Sequence, residues 1–238
     1  AGNITTSTGV VTLNGNLTLG GSGTRAITTA SGVVTIGDAA TDSVTGAGVS
    51  LTINSGSATT TVNAALNNIA TLTLGSSSQT GTMTVNNTLS AASLVTGSTA
   101  YNIVLNGGDG GTSTITNAVT FANTTALTLG NQTSDVFVFL GGLDAITQST
   151  INLAGTIRTA ANAVTLGKSS STTYIINDTS IDTTNAGANP DGGIITLAGA
   201  VVNITSISAA LAADWIGGIN STLTGTVNWG EVIGNYGQ

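Results

Sequence analysis

One short pattern recurs along the chain and limits what it can fold into: an aliphatic residue, a small polar residue (most often Thr) and a second aliphatic, closed by a turn-former. It reads Leu17-Thr18-Leu19-Gly20, Val34-Thr35-Ile36-Gly37, Leu51-Thr52-Ile53-Asn54, Leu72-Thr73-Leu74-Gly75 and Met83-Thr84-Val85-Asn86. It continues as Ile103-Val104-Leu105-Asn106, Leu127-Thr128-Leu129-Gly130, Ile151-Asn152-Leu153-Ala154 and Val164-Thr165-Leu166-Gly167. Tyr174-Ile175-Ile176-Asn177 and Ile195-Thr196-Leu197-Ala198 close the series. Alternation with period two in β-branched residues is a strand signal, with aliphatics turned to one side and Thr to the other. Gly or Asn directly afterwards supplies the positive φ of a sharp turn.

Successive copies lie 10 to 24 residues apart, most often near 20, and the shorter steps read as two strands of one coil. A longer echo, Ser7-Thr8-Gly9-Val10-Val11-Thr12-Leu13 and Ala30-Ser31-Gly32-Val33-Val34-Thr35-Ile36, repeats after 23 residues. Periods of this size indicate a solenoid, in which each coil is too thin to bury its own apolar side and stacking builds one narrow core. The expected fold is all-β, a parallel β-helix of about 10–12 coils forming a rod of roughly 50–60 Å at the strand spacing of a sheet. Helix is expected only in 206–215.

Composition agrees with tight winding. The chain has 33 Gly, 46 Thr, 23 Ser and 23 Asn in 238 residues. Corners every few residues consume small turn-formers, and exposed sheet positions suit Thr. The same composition removes functions. With neither His nor Cys, zinc fingers, His-based catalysis, thiol chemistry and disulfides are out. Three cations make no phosphate-binding patch, so nucleic acid is not an expected partner. The longest purely apolar run, Val136-Phe137-Val138-Phe139-Leu140, is far short of the roughly 18 residues of a membrane helix. Eight aromatics do not supply the two girdles of an outer-membrane barrel.

The two ends of the sequence differ. Asn3-Ile4-Thr5 and Val10-Val11-Thr12-Leu13 are strand-like at once, and the opening Ala1-Gly2-Asn3 reads as processed or excised from something longer. The last thirty residues carry Trp215, Trp229 and Tyr236 and the sole Glu, Glu231. The division expected is a solenoid over 1–208 and a C-terminal segment over 209–238 that caps the last coil or docks the next subunit.

The units from Gly9 to Gly21 and their later copies resemble the β-strand-repeat exoproteins of bacteria, the filamentous-haemagglutinin-like adhesins and autotransporter passengers. The likeness covers roughly residues 2–208. It implies a right-handed parallel β-helix, secretion, and work in adhesion or in an extracellular filament or layer. This chain is much shorter than typical members.

Candidate chemistry is sparse. Asp178 with Asp182, Asp38 with Asp42, and Asp135 with Asp144 are the carboxylate pairs a glycosidase-like site would need, yet turn-making by Asp accounts for them as well. Asn106-Gly107-Gly108-Asp109-Gly110-Gly111 partly mimics a calcium-binding β-roll nonapeptide, and Asn177 to Asp191 is rich in hard oxygen ligands around the sole Pro190. No cofactor is expected, calcium being the one ion considered. Thr-x-Thr segments would suit an ice-matching face only if they stood in register, and the irregular steps argue against that.

The expectation is therefore a non-catalytic extracellular subunit that polymerises head to tail with itself into a surface filament or sheath. Val10, Val11, Leu13, Leu17 and Leu19 would form one side of the joint, and Trp215, Trp229 and Tyr236 the other. Low charge removes the Lys and Pro protection that monomers keep on sheet edges. A monomeric β-helix adhesin binding glycan or a host surface is the alternative, with glycans or other cell-surface components as partners besides the chain itself, and a polysaccharide-active enzyme is a further one.

Overall fold

The computed structural model describes residues 2–189, 191–202, 207–210 and 222–224. Among them there is no helix; short parallel strands stack into a β-solenoid of about eight turns. Each turn lays strands on three faces in a fixed order. The first face starts with Ile4–Thr6, the second with Val11–Leu13, the third with Leu17–Thr18, and Thr24–Thr29 then returns to the first. Each pairs in parallel with the strand one turn on: Ile4 with Ile27, Val11 with Val34, Leu17 with Val44.

The second face gives the clearest column. Val11, Val34, Thr60, Met83, Ile103, Leu127, Ile151, Thr173 and Val201 are successive register partners, 20 to 28 residues apart. Two residues along, Ile36, Val62, Val85, Leu105, Leu129, Leu153 and Ile175 form a second buried column. The middle residue of each second-face triplet points out. At Thr173-Tyr174-Ile175 this is Tyr174, so the copy read from sequence as Tyr174-Ile175-Ile176 is one residue out of phase, with Ile175 buried and Ile176 exposed. The recurrent pattern thus does what its alternation implies, and full burial of each aliphatic contributes about 1.5–3 kcal/mol.

The expected 10–12 coils become about eight because copies of the pattern do not each mark a coil. Leu72-Thr73-Leu74 lies on the first face and Met83-Thr84-Val85 on the second, within one winding. At about 4.8 Å per turn the rod is about 40 Å long. Ile207–Ala210, within the stretch where helix was expected, is a strand paired with residues 179–182, and Thr222–Thr224 pairs with Ile195–Ala198. The rest of 209–238, with Trp215, Trp229 and Tyr236, lies outside the described residues.

Four long strands bend round a corner and serve two faces: Ala65–Leu74, Leu89–Thr96, Thr150–Arg158 and Thr172–Asp182. In Thr150–Arg158 the bend is at Gly155, with φ of +75° and room for no side chain: a Cβ there would lie 2.3 Å from the Asp135 carbonyl oxygen.

The corner between the first and second faces carries a buried polar spine. The Ser55 amide donates to Gln79 Oε1 (2.9 Å), and Gln79 Nε2 donates to Ser55 Oγ (3.1 Å) and the Gly81 carbonyl (2.7 Å). Next, Tyr101 donates its hydroxyl to the Leu74 carbonyl (2.7 Å), and Asn123 Nδ2 donates to the Tyr101 carbonyl (3.0 Å). Gln148 Nε2 reaches Asn123 Oδ1 (3.1 Å) and the Phe121 carbonyl (3.0 Å), and Ser171 Oγ donates to the Gln148 carbonyl (2.6 Å). Corners interrupt the ladder, so the backbone groups they bury need such partners. Burial pushes the Tyr101 phenol up to about 12, against the hydrogen bond from the Gly97 amide.

Candidate functional site

No coil lies, among the described residues, against the outer side of the first turn. Among the described residues, Ile4–Thr6, Val11–Leu13 and Leu17–Thr18 each pair on one side only. Ile4, Leu13 and Leu17 are half-buried where their counterparts further along are fully buried, and they line an apolar recess of about 330 Å³ with Leu19 and Ile27. Of the residues expected at a joint, Val11 and Leu19 are buried (6% exposed each) and Val10 is 66% exposed. The structure therefore brings Leu13, Leu17 and Leu19 together at the recess, sets Val10 outside and seats Val11 in the core. Arg25 borders the recess, but its Nε donates to the Gly20 carbonyl (2.9 Å) and its Nη1 to the Thr24 carbonyl (3.1 Å).

One member of each expected carboxylate pair, Asp42, Asp135 and Asp182, is engaged by turn amides, while Asp178 lies exposed within the strand Thr172–Asp182. Asp182 accepts from the Thr184 amide (2.9 Å) and hydroxyl (2.7 Å), the Ala186 amide (2.8 Å) and Arg158 Nε (2.9 Å). Burial alone would raise its pKa; the bonds from Thr184, Ala186 and Arg158 outweigh it and hold the carboxyl below its ordinary value. Asp42 accepts from the Ala39 (3.0 Å) and Asp38 (2.9 Å) amides, which lower its pKa. Asp135 is fully buried at the corner between the second and third faces. It accepts from the Asn131 and Gln132 amides (2.9 Å each) and the Gly110 amide (3.2 Å). Asp144 stands apart from it on the first face, with a buried Oδ1 lacking a hydrogen-bond partner, and burial raises its pKa. Among the described residues, no three acidic side chains converge on a common point. The third cation, Lys168, donates to the Thr147 carbonyl (3.2 Å).

The corner between the second and third faces holds a feature not anticipated from sequence. Asn63 Nδ2 donates to the Gly37 carbonyl (3.0 Å), Asn86 Nδ2 to Asn63 Oδ1 (2.8 Å), and Asn106 Nδ2 to Asn86 Oδ1 (2.8 Å). The signal was present: Asn follows the strand triplet at Val62-Asn63, Val85-Asn86 and Leu105-Asn106. Turn lengths at this corner differ. Residues 37–42, 106–111 and 130–135 make long turns, and 63–64 and 86–88 short ones. The short turns leave a polar trough of about 590 Å³ lined by Asn63, Asn86, Asn87 and Asn106, with Asp38 and Ala40 towards one end and Asp109 towards the other. Asn87 Nδ2 spans the short turn to donate to the Ala40 (2.7 Å) and Asn63 (3.1 Å) carbonyls.

On the second face the outward middle residues are in register despite irregular chain steps, because the extra residues go into the turns. Thr12, Thr35, Thr61 and Thr84 stack consecutively, and Val104, Thr128, Asn152 and Tyr174 follow. The sequence-based objection to register therefore fails, although the unbroken Thr row is limited to four turns.

No protein-family model matches the chain, and neither curated proteins nor solved structures give a match. Among the described residues no helix is long and apolar enough to cross a membrane.

Proposed function

We propose that the chain is a non-catalytic structural element of a bacterial cell surface, a β-solenoid subunit that joins end to end with copies of itself outside the cell. The observation that supports this reading is the first-turn end, where three parallel strand edges surround an apolar recess. Whatever covers that end must continue three ladders at once and fill the space beside Leu13 and Leu17. A coil of the same fold does both, and in the proposed assembly that coil belongs to a second copy, in a heterologous contact that propagates into a fibre. Leu13, Leu17 and Leu19 form one half of this joint, and the segment holding Trp215, Trp229 and Tyr236 contributes to the other.

Electron microscopy of purified protein tests the reading. The wild type should form filaments, and Leu13→Asp with Leu17→Asp should leave single rods, because two carboxylates at an apolar joint carry a heavy desolvation cost. Wild-type protein that stays as single rods at every concentration, or a double variant that still forms filaments, overturns it. A rival reading as a polysaccharide-active enzyme would require glycan cleavage lost in Asp178→Asn or Asp182→Asn.

A further inference from the structure

We propose that the trough at the corner between the second and third faces is a binding site for a short, neutral, linear oligosaccharide. The floor presents three side-chain amides, Asn63, Asn86 and Asn106, one per turn and hence about 4.8 Å apart. Within the ladder Asn86 uses one N–H and its carbonyl, which leaves a second N–H and a further lone pair. Across the floor stand two carboxylates, Asp38 and Asp109, on turns three coil rises apart. Asp38 Oδ1 accepts from the Gly15 amide (3.2 Å) and its carboxyl also meets that of Asp42, while Asp109 Oδ1 accepts from Gln132 Nε2 (2.7 Å); with about four acceptor positions on each group, lone pairs remain on both.

This arrangement selects among ligands. Two carboxylates on turns about 14 Å apart along the axis cannot share a calcium ion, whose oxygen ligands sit at about 2.3–2.6 Å. Nucleic acid and uronic-acid polymers bring negative charge to walls that already carry it, in a chain of net charge −7. An extended peptide presents same-side groups about 6.6–6.8 Å apart, out of step with the amides. A chain of pyranose rings repeats at close to one coil rise, and its hydroxyls both donate to carboxylates and accept from amides. The volume of about 590 Å³ lies within the range of small-ligand sites. The walls limit the bound length to two or three rings.

The test is titration of the intact protein with cellotriose, chitotriose, maltotriose and mannotriose, and with trigalacturonate as the charged counterpart, read by ligand-observed NMR and calorimetry. At least one neutral trisaccharide should bind. Ala40→Trp, which fills the trough from an exposed position and keeps the backbone carbonyl that accepts from Asn87 Nδ2 (2.7 Å), should weaken it about tenfold or more. Ala100→Trp, exposed and outside the trough lining, should leave it unchanged. The absence of binding by every neutral trisaccharide, equal binding by wild type and Ala40→Trp, or preference for trigalacturonate overturns the proposal. None of these outcomes depends on whether the protein forms filaments.

Discussion

Asn86 Nδ2 donates to Asn63 Oδ1 at 2.8 Å across 23 residues of chain, and Asn86 Oδ1 in turn accepts from Asn106. A side-chain ladder of this kind fixes which residue follows the strand on each turn. It therefore holds register where the turns themselves differ in length. Asn86→Ala removes a donor and an acceptor at once and leaves half-buried partners on both neighbouring turns. The expected loss is about 1–3 kcal/mol in denaturant unfolding. A loss below about 0.5 kcal/mol, the scale of an ordinary surface change, would show that water replaces the ladder.

What was legible in the sequence follows from the range of the interactions. Val34-Thr35-Ile36 and its kin announce inward aliphatics and an outward Thr within three residues, so the strands and the narrow core were readable. The coil count was not, because the same triplet serves the first face at Leu72 and the second at Met83. Gln79 and Gln148 look like any loop glutamine; their partners at Ser55 and Asn123 lie 24 and 25 residues away and share no local pattern. The trough was hidden for a related reason. It is made by the difference between turns 37–42 and 63–64, and neither turn shows this alone.

Asp182 sets one acid limit on stability. Its folded pKa lies below the unfolded value of about 3.9, so its contribution is complete at pH above that value and is lost as pH falls through the folded pKa. Asp182→Asn should lower the melting temperature at pH 7, with the gap to wild type closing below about pH 3.9 as the wild-type carboxyl protonates. A gap independent of pH would place the effect in packing around Thr184 and Ala186 instead.

Asp144 has the opposite sign. Burial raises its pKa, so ionisation costs the folded state stability at neutral pH, and that cost disappears as pH falls through the raised pKa. Asp144→Asn should therefore melt higher than wild type at pH 7, and the two should converge in acid. Convergence toward neutral pH, or a variant that melts lower throughout, would contradict an unpartnered ionised Oδ1.

Phe121 tests how far damage travels along the rod. Its ring is fully buried and meets Phe139 edge-on, with centroids 6.3 Å apart and planes at 84°. Truncation in Phe121→Ala should cost about 3–5 kcal/mol, since the narrow core has no large side chain free to fill the space. In a solenoid each turn is held mainly by its two neighbours, so stability is close to a sum of local terms. Amide exchange should therefore accelerate at Leu94–Thr96 and Leu143–Ala145, the strands one turn to either side, while Val34–Ile36 keeps its protection. Uniform acceleration from the first turn to the last would mean that the described turns unfold as one cooperative unit, with the polar spine from Ser55 to Ser171 as the element that couples them.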